Sequence, residues 1–177
     1  MSRRLDTRRW YTGLVVAVSL QRLGELALSR RNTAWAFARG GVETGREQLP
    51  VMTALHTGLL AGCVAEAWFA RRPFRPWLAG PLLAVLGACQ AVRFWCVRAL
   101  GPRWNTRVIV VPGMAPVRTG PYRCLENPNY AAVVVEGVAL PLVHSAWITA
   151  TAFTVADAAL LRRRVRTERE ALREAAR

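Results

Sequence analysis

Four apolar runs, each closed by arginines, set the limits on what this chain can fold into. Trp10 to Leu28 is followed by Arg30 and Arg31. Val51 to Ala70 carries one charge, Glu66, and ends at Arg71-Arg72-Pro73-Phe74-Arg75. Trp77 to Leu100 carries only Arg93 and Arg98, and Ala131 to Leu161 only Glu136 and Asp157 before Arg162-Arg163-Arg164. A bilayer crossing takes about 20 mainly apolar residues, so the first three runs each fit one crossing. They lack the polar stripe that a surface helix of a soluble bundle needs, although mean hydropathy is only +0.16. The net charge of +14, all of its positive side chains arginine, marks the flanks of the runs. Trp10, Trp35, Trp68, Trp77 and Trp104 stand at or near run ends, as an interfacial belt would. No zinc-finger, recognition-helix or aromatic RNA-binding pattern accompanies the arginines. Membrane lipids, not nucleic acid, are the expected surroundings.

The fourth run is 31 residues, roughly 46 Å as a helix, too long for one crossing of an approximately 30 Å core. Pro141 sits near its midpoint, followed by His144 and Ser145, and an interior proline breaks or kinks a helix. A helical hairpin is expected, Tyr130 to Leu140 going out and Ser145 to Leu161 returning. A single long kinked helix is the competitor. The expected fold is therefore all-α and integral to a membrane, one domain over 1–177. Five crossings fall at about 10–28, 51–70, 77–100, 130–142 and 145–162. Five crossings put the termini on opposite sides. With the C-terminus cytoplasmic, the loop 29–50 and the segment 101–130 share its side, which then holds most arginines. The absence of lysine fits a GC-rich, bacterial coding sequence and a cytoplasmic membrane.

Between the third and fourth runs lies a polar segment, 101–130. Pro102, Pro112, Pro116, Pro121 and Pro128 exclude a long helix there. Val108 to Val111 is strand-like, and Gly113 and Gly120 permit tight turns. Ordered, non-helical chain at a membrane face is a place where function concentrates.

Thr119-Gly-Pro-Tyr-Arg123, then Asn127-Pro-Asn-Tyr130, an apolar hairpin, and Arg164-Val-Arg-Thr-Glu-Arg-Glu-Ala-Leu172 resemble the isoprenylcysteine carboxyl methyltransferase family. The strong part of the resemblance covers roughly 101–172. It implies a small integral membrane enzyme that uses S-adenosylmethionine, with cofactor motifs at about 101–130 and 162–172. Arg-Trp-Asn-Thr-Arg107 and the Val-Pro-Gly113 stretch resemble bacterial members encoded beside type III polyketide synthases. Those members are associated with O-methylation of phenolic lipids. The chain departs from the family pattern at Glu126-Asn127, where Arg-His is usual, and at Arg169, where a second acid is usual. Asn127 can donate and accept hydrogen bonds but cannot carry a proton as histidine can.

Methyl transfer from a sulfonium requires the protein to bind the cofactor, align the acceptor and exclude water. The resemblance implies Tyr130, Glu168 and Arg166 as catalytic candidates. Tyr122, Arg123, Asn127, Pro128, Tyr130, Glu136 and Glu168 are the cofactor-binding candidates. Glu168 would meet the ammonium or ribose, Arg123 or Arg166 the carboxylate, and Tyr122 and Tyr130 the adenine or acceptor. The hairpin would admit a lipophilic acceptor from the bilayer. A phenolic lipid or alkylpyrone is favoured over a prenylcysteine carboxylate. A non-catalytic membrane subunit retaining the fold and a membrane reductase are the other readings.

Outside the motifs, an intramembrane acid is by default a functional hypothesis. Glu136 either lines the site or partners an arginine such as Arg93. Arg22 and Glu25, three apart, are expected to pair on one helix face. Glu66 is expected to pair with Arg71 or to snorkel. His144 falls at the hairpin turn, away from the motifs, and His56 reads as a satisfied polar residue between helices. Cys63, Cys89, Cys96 and Cys124 have neither metal spacing nor a paired framework.

Overall fold

Among the described residues, five helices carry the chain, and a small β ladder ties one end of them together. The computed structural model describes residues 2–70 and 72–175. The elements are α1 (Ser2–Phe37), β1 (Val42–Thr44), α2 (Gln48–Phe69), α3 (Pro76–Leu100), β2 (Val108–Val110), α4 (Pro128–Leu142) and α5 (Trp147–Ala175). Short 3-10 turns form at Gly101–Arg103 and Gly120–Arg123.

Among the described residues, Gln48–Phe69 and Pro76–Arg103 are long and apolar enough to cross a membrane. Only 11% and 22% of their apolar windows are buried, so both helices turn apolar surface outward. A core helix of a soluble bundle would be mostly buried. The α4 helix has 15 residues, roughly 22 Å.

The first helix corrects the sequence reading. The sequence predicts its end at Leu28, with a loop over 29–50; instead α1, 36 residues in all, runs on to Phe37. Arginine is a good helix former, so Arg30 and Arg31 extend the helix as exposed residues, while Ser29 and Asn32 on either side of them are buried. The real stop is Gly40, at φ +76, where the Gly41 amide donates to the Ala36 carbonyl at 2.9 Å. Such a left-handed C-terminal turn favours glycine.

The helical hairpin is present, and the long kinked helix is excluded. Pro141 remains inside α4, and its carbonyl accepts the Ala146 amide at 2.9 Å. Ser145 turns the chain at φ +58, and its hydroxyl donates to the Pro73 carbonyl at 3.1 Å. The hairpin turn thus meets the α2–α3 loop at the end remote from the motifs. There His144 is buried between Tyr11 and Phe74, at ring separations of 5.1 and 5.6 Å. Two close approaches set the helix spacing. A Cβ on Gly137 would sit 2.1 Å from the Phe153 ring, and one on Gly62 2.9 Å from Thr149. Small residues allow such contacts between membrane helices. The Tyr11 hydroxyl donates to the Leu140 carbonyl at 3.0 Å, fastening α1 to α4.

Glu66 does not snorkel; its carboxylate turns inward to another helix. It is buried, and its carboxylate accepts the Ile148 and Thr149 amides at 3.2 and 2.9 Å. These are open donors at the start of α5, where negative charge is favoured. Arg72 approaches Glu66 at 3.5 Å; Arg71 lies outside the described residues.

In the middle of the helices a polar cluster joins α1, α3 and α4. Arg22 pairs with Glu25 at 2.8 Å, as the spacing predicted, and also with Glu136. Arg93 pairs with Glu25, and Gln90 donates to Glu136 at 3.2 Å. Two arginines and two glutamates balance, which is the condition for keeping charge in an apolar setting.

Candidate functional site

At the end opposite the hairpin turn, four stretches of chain converge: the top of α1, the connector 101–127, the start of α4 and the last turns of α5. The connector is ordered by α1. Ser29 donates to Asn105 Oδ1 at 2.7 Å, and the Thr106 amide donates back to Ser29 Oγ at 3.1 Å. Asn32 Nδ2 donates to the Trp104 carbonyl at 2.6 Å, and Asn105 Nδ2 to Thr33 Oγ1 at 2.8 Å. The strand-like run expected over Val108–Val111 forms β2, paired antiparallel with β1, Val42 opposite Val110 and Thr44 opposite Val108. Arg107 reaches Glu43 at 3.3 Å beside the ladder. This is why a proline-rich segment is held in one shape.

These elements line a partly open cavity of about 220 Å³. Tyr122, Asn127, Tyr130 and Glu168 line it together with Trp35, Trp104, Asn129, Arg103 and Arg107. At its centre the Tyr130 hydroxyl donates to Glu168 Oε2 at 2.7 Å. Arg164 Nε donates to the same hydroxyl at 2.8 Å, with the guanidinium 5.5 Å from the ring centroid. Arg164 is buried, and its Nη2 also donates to the Thr106 carbonyl at 2.5 Å. One side chain therefore ties α5, α4 and the connector together. Gln48 Nε2 donates to Thr167 Oγ1 at 2.9 Å, adding α2 to the same face. Burial beside the Cys96 thiol raises the Tyr122 hydroxyl above the ordinary phenol range, so it stays protonated.

The other expected site residues fall elsewhere. Successive helical residues are about 100° apart, so Arg166 lies about 200° round α5 from Arg164, exposed and away from the cavity. Arg123 ends its 3-10 turn pointing to solvent, while Tyr122 takes the inward position. Pro128 is buried at the first position of α4, behind the wall. Glu136 is nearly two turns below Tyr130 and engaged with Arg22 and Gln90. Trp104, expected in an interfacial belt, is 2% exposed.

Arg164, Trp104 and Asn129 join the site without being among the residues the sequence motifs assign to it. Two of them leave buried polar atoms without partners among the described residues, Trp104 Nε1 as donor and Asn129 Oδ1 as acceptor. A buried unpaired polar atom is costly, and both residues line the cavity. Aromatic rings, one donor, one acceptor, the Glu168 carboxylate and the Arg103 and Arg107 guanidiniums form a donor set that fits S-adenosylmethionine.

Comparison with known proteins agrees with this convergence. The Isoprenylcysteine carboxyl methyltransferase (ICMT) family matches residues 82–174, which run from α3 through the connector and hairpin to the end of α5. A relative named "Uncharacterized protein YpbQ" from Bacillus subtilis (strain 168) is 34% identical over 161 residues, covering 91% of this chain and 95% of its own length. No solved structure matches. Family membership and the two outward-facing apolar helices point to a membrane protein. The chain belongs to the isoprenylcysteine carboxyl methyltransferase family.

Proposed function

We propose that the protein transfers a methyl group from S-adenosylmethionine to a lipophilic acceptor at a membrane. The observation that carries this reading is the Arg164–Tyr130–Glu168 chain of hydrogen bonds in the wall of a cavity built from the family-matching segments. S-adenosylmethionine, when bound, supplies an electrophilic methyl group. The remaining tasks fall to the side chains. Glu168 offers its carboxylate to the ammonium or ribose, and Arg103 or Arg107 a guanidinium to the carboxylate. Trp104 Nε1 and Asn129 Oδ1 offer a donor and an acceptor to the purine edge. Arg164 fixes Tyr130, and the folded connector keeps water out.

Among acceptors, the hydroxyl of a phenolic lipid or alkylpyrone suits the site better than a prenylcysteine carboxylate. A phenol, with a pKa of about 10, must lose a proton as the oxygen–methyl bond forms. Glu168, through Tyr130, is an oxygen base at the cavity wall. A carboxylate acceptor has no proton to lose and meets repulsion from Glu168. The resemblance of Arg103–Arg107 and Val111–Gly113 to phenolic-lipid methylating members leans the same way.

In this reading all five helices cross the membrane, because the hairpin turn reaches the α2–α3 loop at the far end. The cavity end, richer in arginine, faces the cytoplasm of a bacterial cell. Membranes containing the protein, incubated with methyl-labelled S-adenosylmethionine and an alkylresorcinol, an alkylpyrone or a prenylcysteine, test it. Label in the first two acceptors is expected. Label only in prenylcysteine would overturn the choice of acceptor, and neither cofactor binding nor transfer to any lipid would overturn the enzyme.

A further inference from the structure

On the opposite face of α5 from Tyr130 runs an open groove of about 700 Å³, walled by α5 and by Val134 of α4. Its composition changes along its length. Ala158, Leu161 and Val165 make an apolar floor that continues from the exposed Val155. Arg162, Arg166, Arg169 and Arg173 follow at spacings of four, three and four, which places them on one helical face. Glu170 is the one acid lining the groove. Arg169 reaches Glu126 at 2.8 Å across an exposed surface. Among the described residues, Arg162, Arg166 and Arg173 make no ion pair.

We infer that this groove binds an anionic phospholipid, its acyl chain along Val155, Ala158 and Leu161 and its phosphate at Arg162 and Arg166. Three features support that occupant. Four arginines against one glutamate complement a phosphodiester. Guanidinium forks match phosphate oxygens in pairs. The apolar-to-basic change along one helix reproduces the order of chain and headgroup at a membrane surface. Arg162, Arg166 and Arg173 have no ion pair among the described residues that would otherwise account for their alignment. The lipid would seat the outer face of α5 and so steady the inner face that carries Arg164 and Glu168. This inference rests on the membrane placement proposed above.

The full-length protein is purified into nanodiscs of mixed phosphatidylcholine and phosphatidylglycerol, and retained lipid is read by native mass spectrometry. Membrane residence is scored separately, by sedimentation after carbonate washing. Wild type is expected to retain phosphatidylglycerol preferentially. Arg162→Gln with Arg166→Gln should reduce that preference by about thirtyfold, the effect of two arginines near an anionic surface. Ala158→Trp, which fills the apolar floor without changing charge, should also reduce it. Arg30→Gln with Arg31→Gln, an equal charge loss elsewhere, should leave it unchanged. Equal retention of the two lipids by wild type, or equal losses in the two arginine pairs, would overturn the site while leaving membrane residence standing. Release by carbonate would overturn the membrane placement itself.

Discussion

Arg164 and Glu168, one turn apart on α5, hold the same atom: Arg164 Nε donates to the Tyr130 hydroxyl at 2.8 Å and that hydroxyl donates to Glu168 Oε2 at 2.7 Å. If this arrangement serves methyl transfer, Tyr130→Phe and Glu168→Gln should each lower kcat/KM by on the order of 10²-fold, as misplacement of a reacting group does. Unfolding midpoints should remain near wild type. Unchanged rates in membranes of equal protein content would remove both residues from the mechanism.

Arg164 is a positioning residue with a second, structural consequence. Arg164→Met would leave the Thr106 carbonyl and the Tyr130 hydroxyl without their donor. The expected loss is about 3 kcal/mol of stability, from charge-assisted hydrogen bonds, with a larger effect on kcat than on the KM for the acceptor. Arg164→Lys should restore stability in part but not the rate, because an ammonium lacks the planar fork. A lysine variant with full activity would contradict this role.

The central polar cluster makes a different prediction. Glu136→Ala leaves Arg22 and Gln90 facing an apolar interior and should cost about 3–5 kcal/mol, the usual effect of breaking a buried pair. Adding Arg22→Met should recover much of that loss. A double variant no more stable than the single would show that Arg22 and Glu136 are not energetically coupled.

At the hairpin, Gly137→Ala pushes a methyl group into the Phe153 ring. Overpacking of this kind should cost about 1–3 kcal/mol, and Phe153→Leu in the same chain should relieve part of it. Detergent-resistant thermal unfolding reads both. A neutral Gly137→Ala would mean that α4 and α5 can separate freely.

Glu66 caps α5 from another helix, and Glu66→Ala should loosen the first turn of α5 at a cost of about 1–2 kcal/mol, comparable to losing an N-cap. Hydrogen exchange at Ile148 and Thr149 should rise first. Unchanged protection of those two amides would refute the cap.

Much of this architecture could be read from local signals. Apolar runs and the interior Pro141 announced the helices and the hairpin, and the Gly-Pro-Tyr-Arg and Asn-Pro-Asn-Tyr turns announced the site. What escaped was non-local. Arg30 and Arg31 look like the end of a span, yet the stop is Gly40-Gly41. The three residues of β1 have no strand signal of their own and exist because β2 pairs with them. Arg164 was hidden inside a triple-arginine stop. Its four-residue spacing from Glu168 was the available sign that both face one partner. Arg166 lies on the wrong face by the same helical arithmetic. Glu66 could not be read as a cap, because the helix it caps begins 81 residues later.

The proposed function requires the cavity between α1, the connector and α5 to hold S-adenosylmethionine. Equilibrium binding of labelled cofactor to the purified full-length protein tests it most directly. Wild type should bind saturably. Trp104→Phe, Asn129→Ala and Glu168→Gln should each weaken binding by about tenfold, the equivalent of one lost hydrogen bond. Ser19→Ala, which removes only a local bond to the Val15 carbonyl far from the cavity, should bind as wild type does. Undiminished affinity in all three cavity variants, or no saturable binding by wild type, would show that the cofactor does not bind in this cavity.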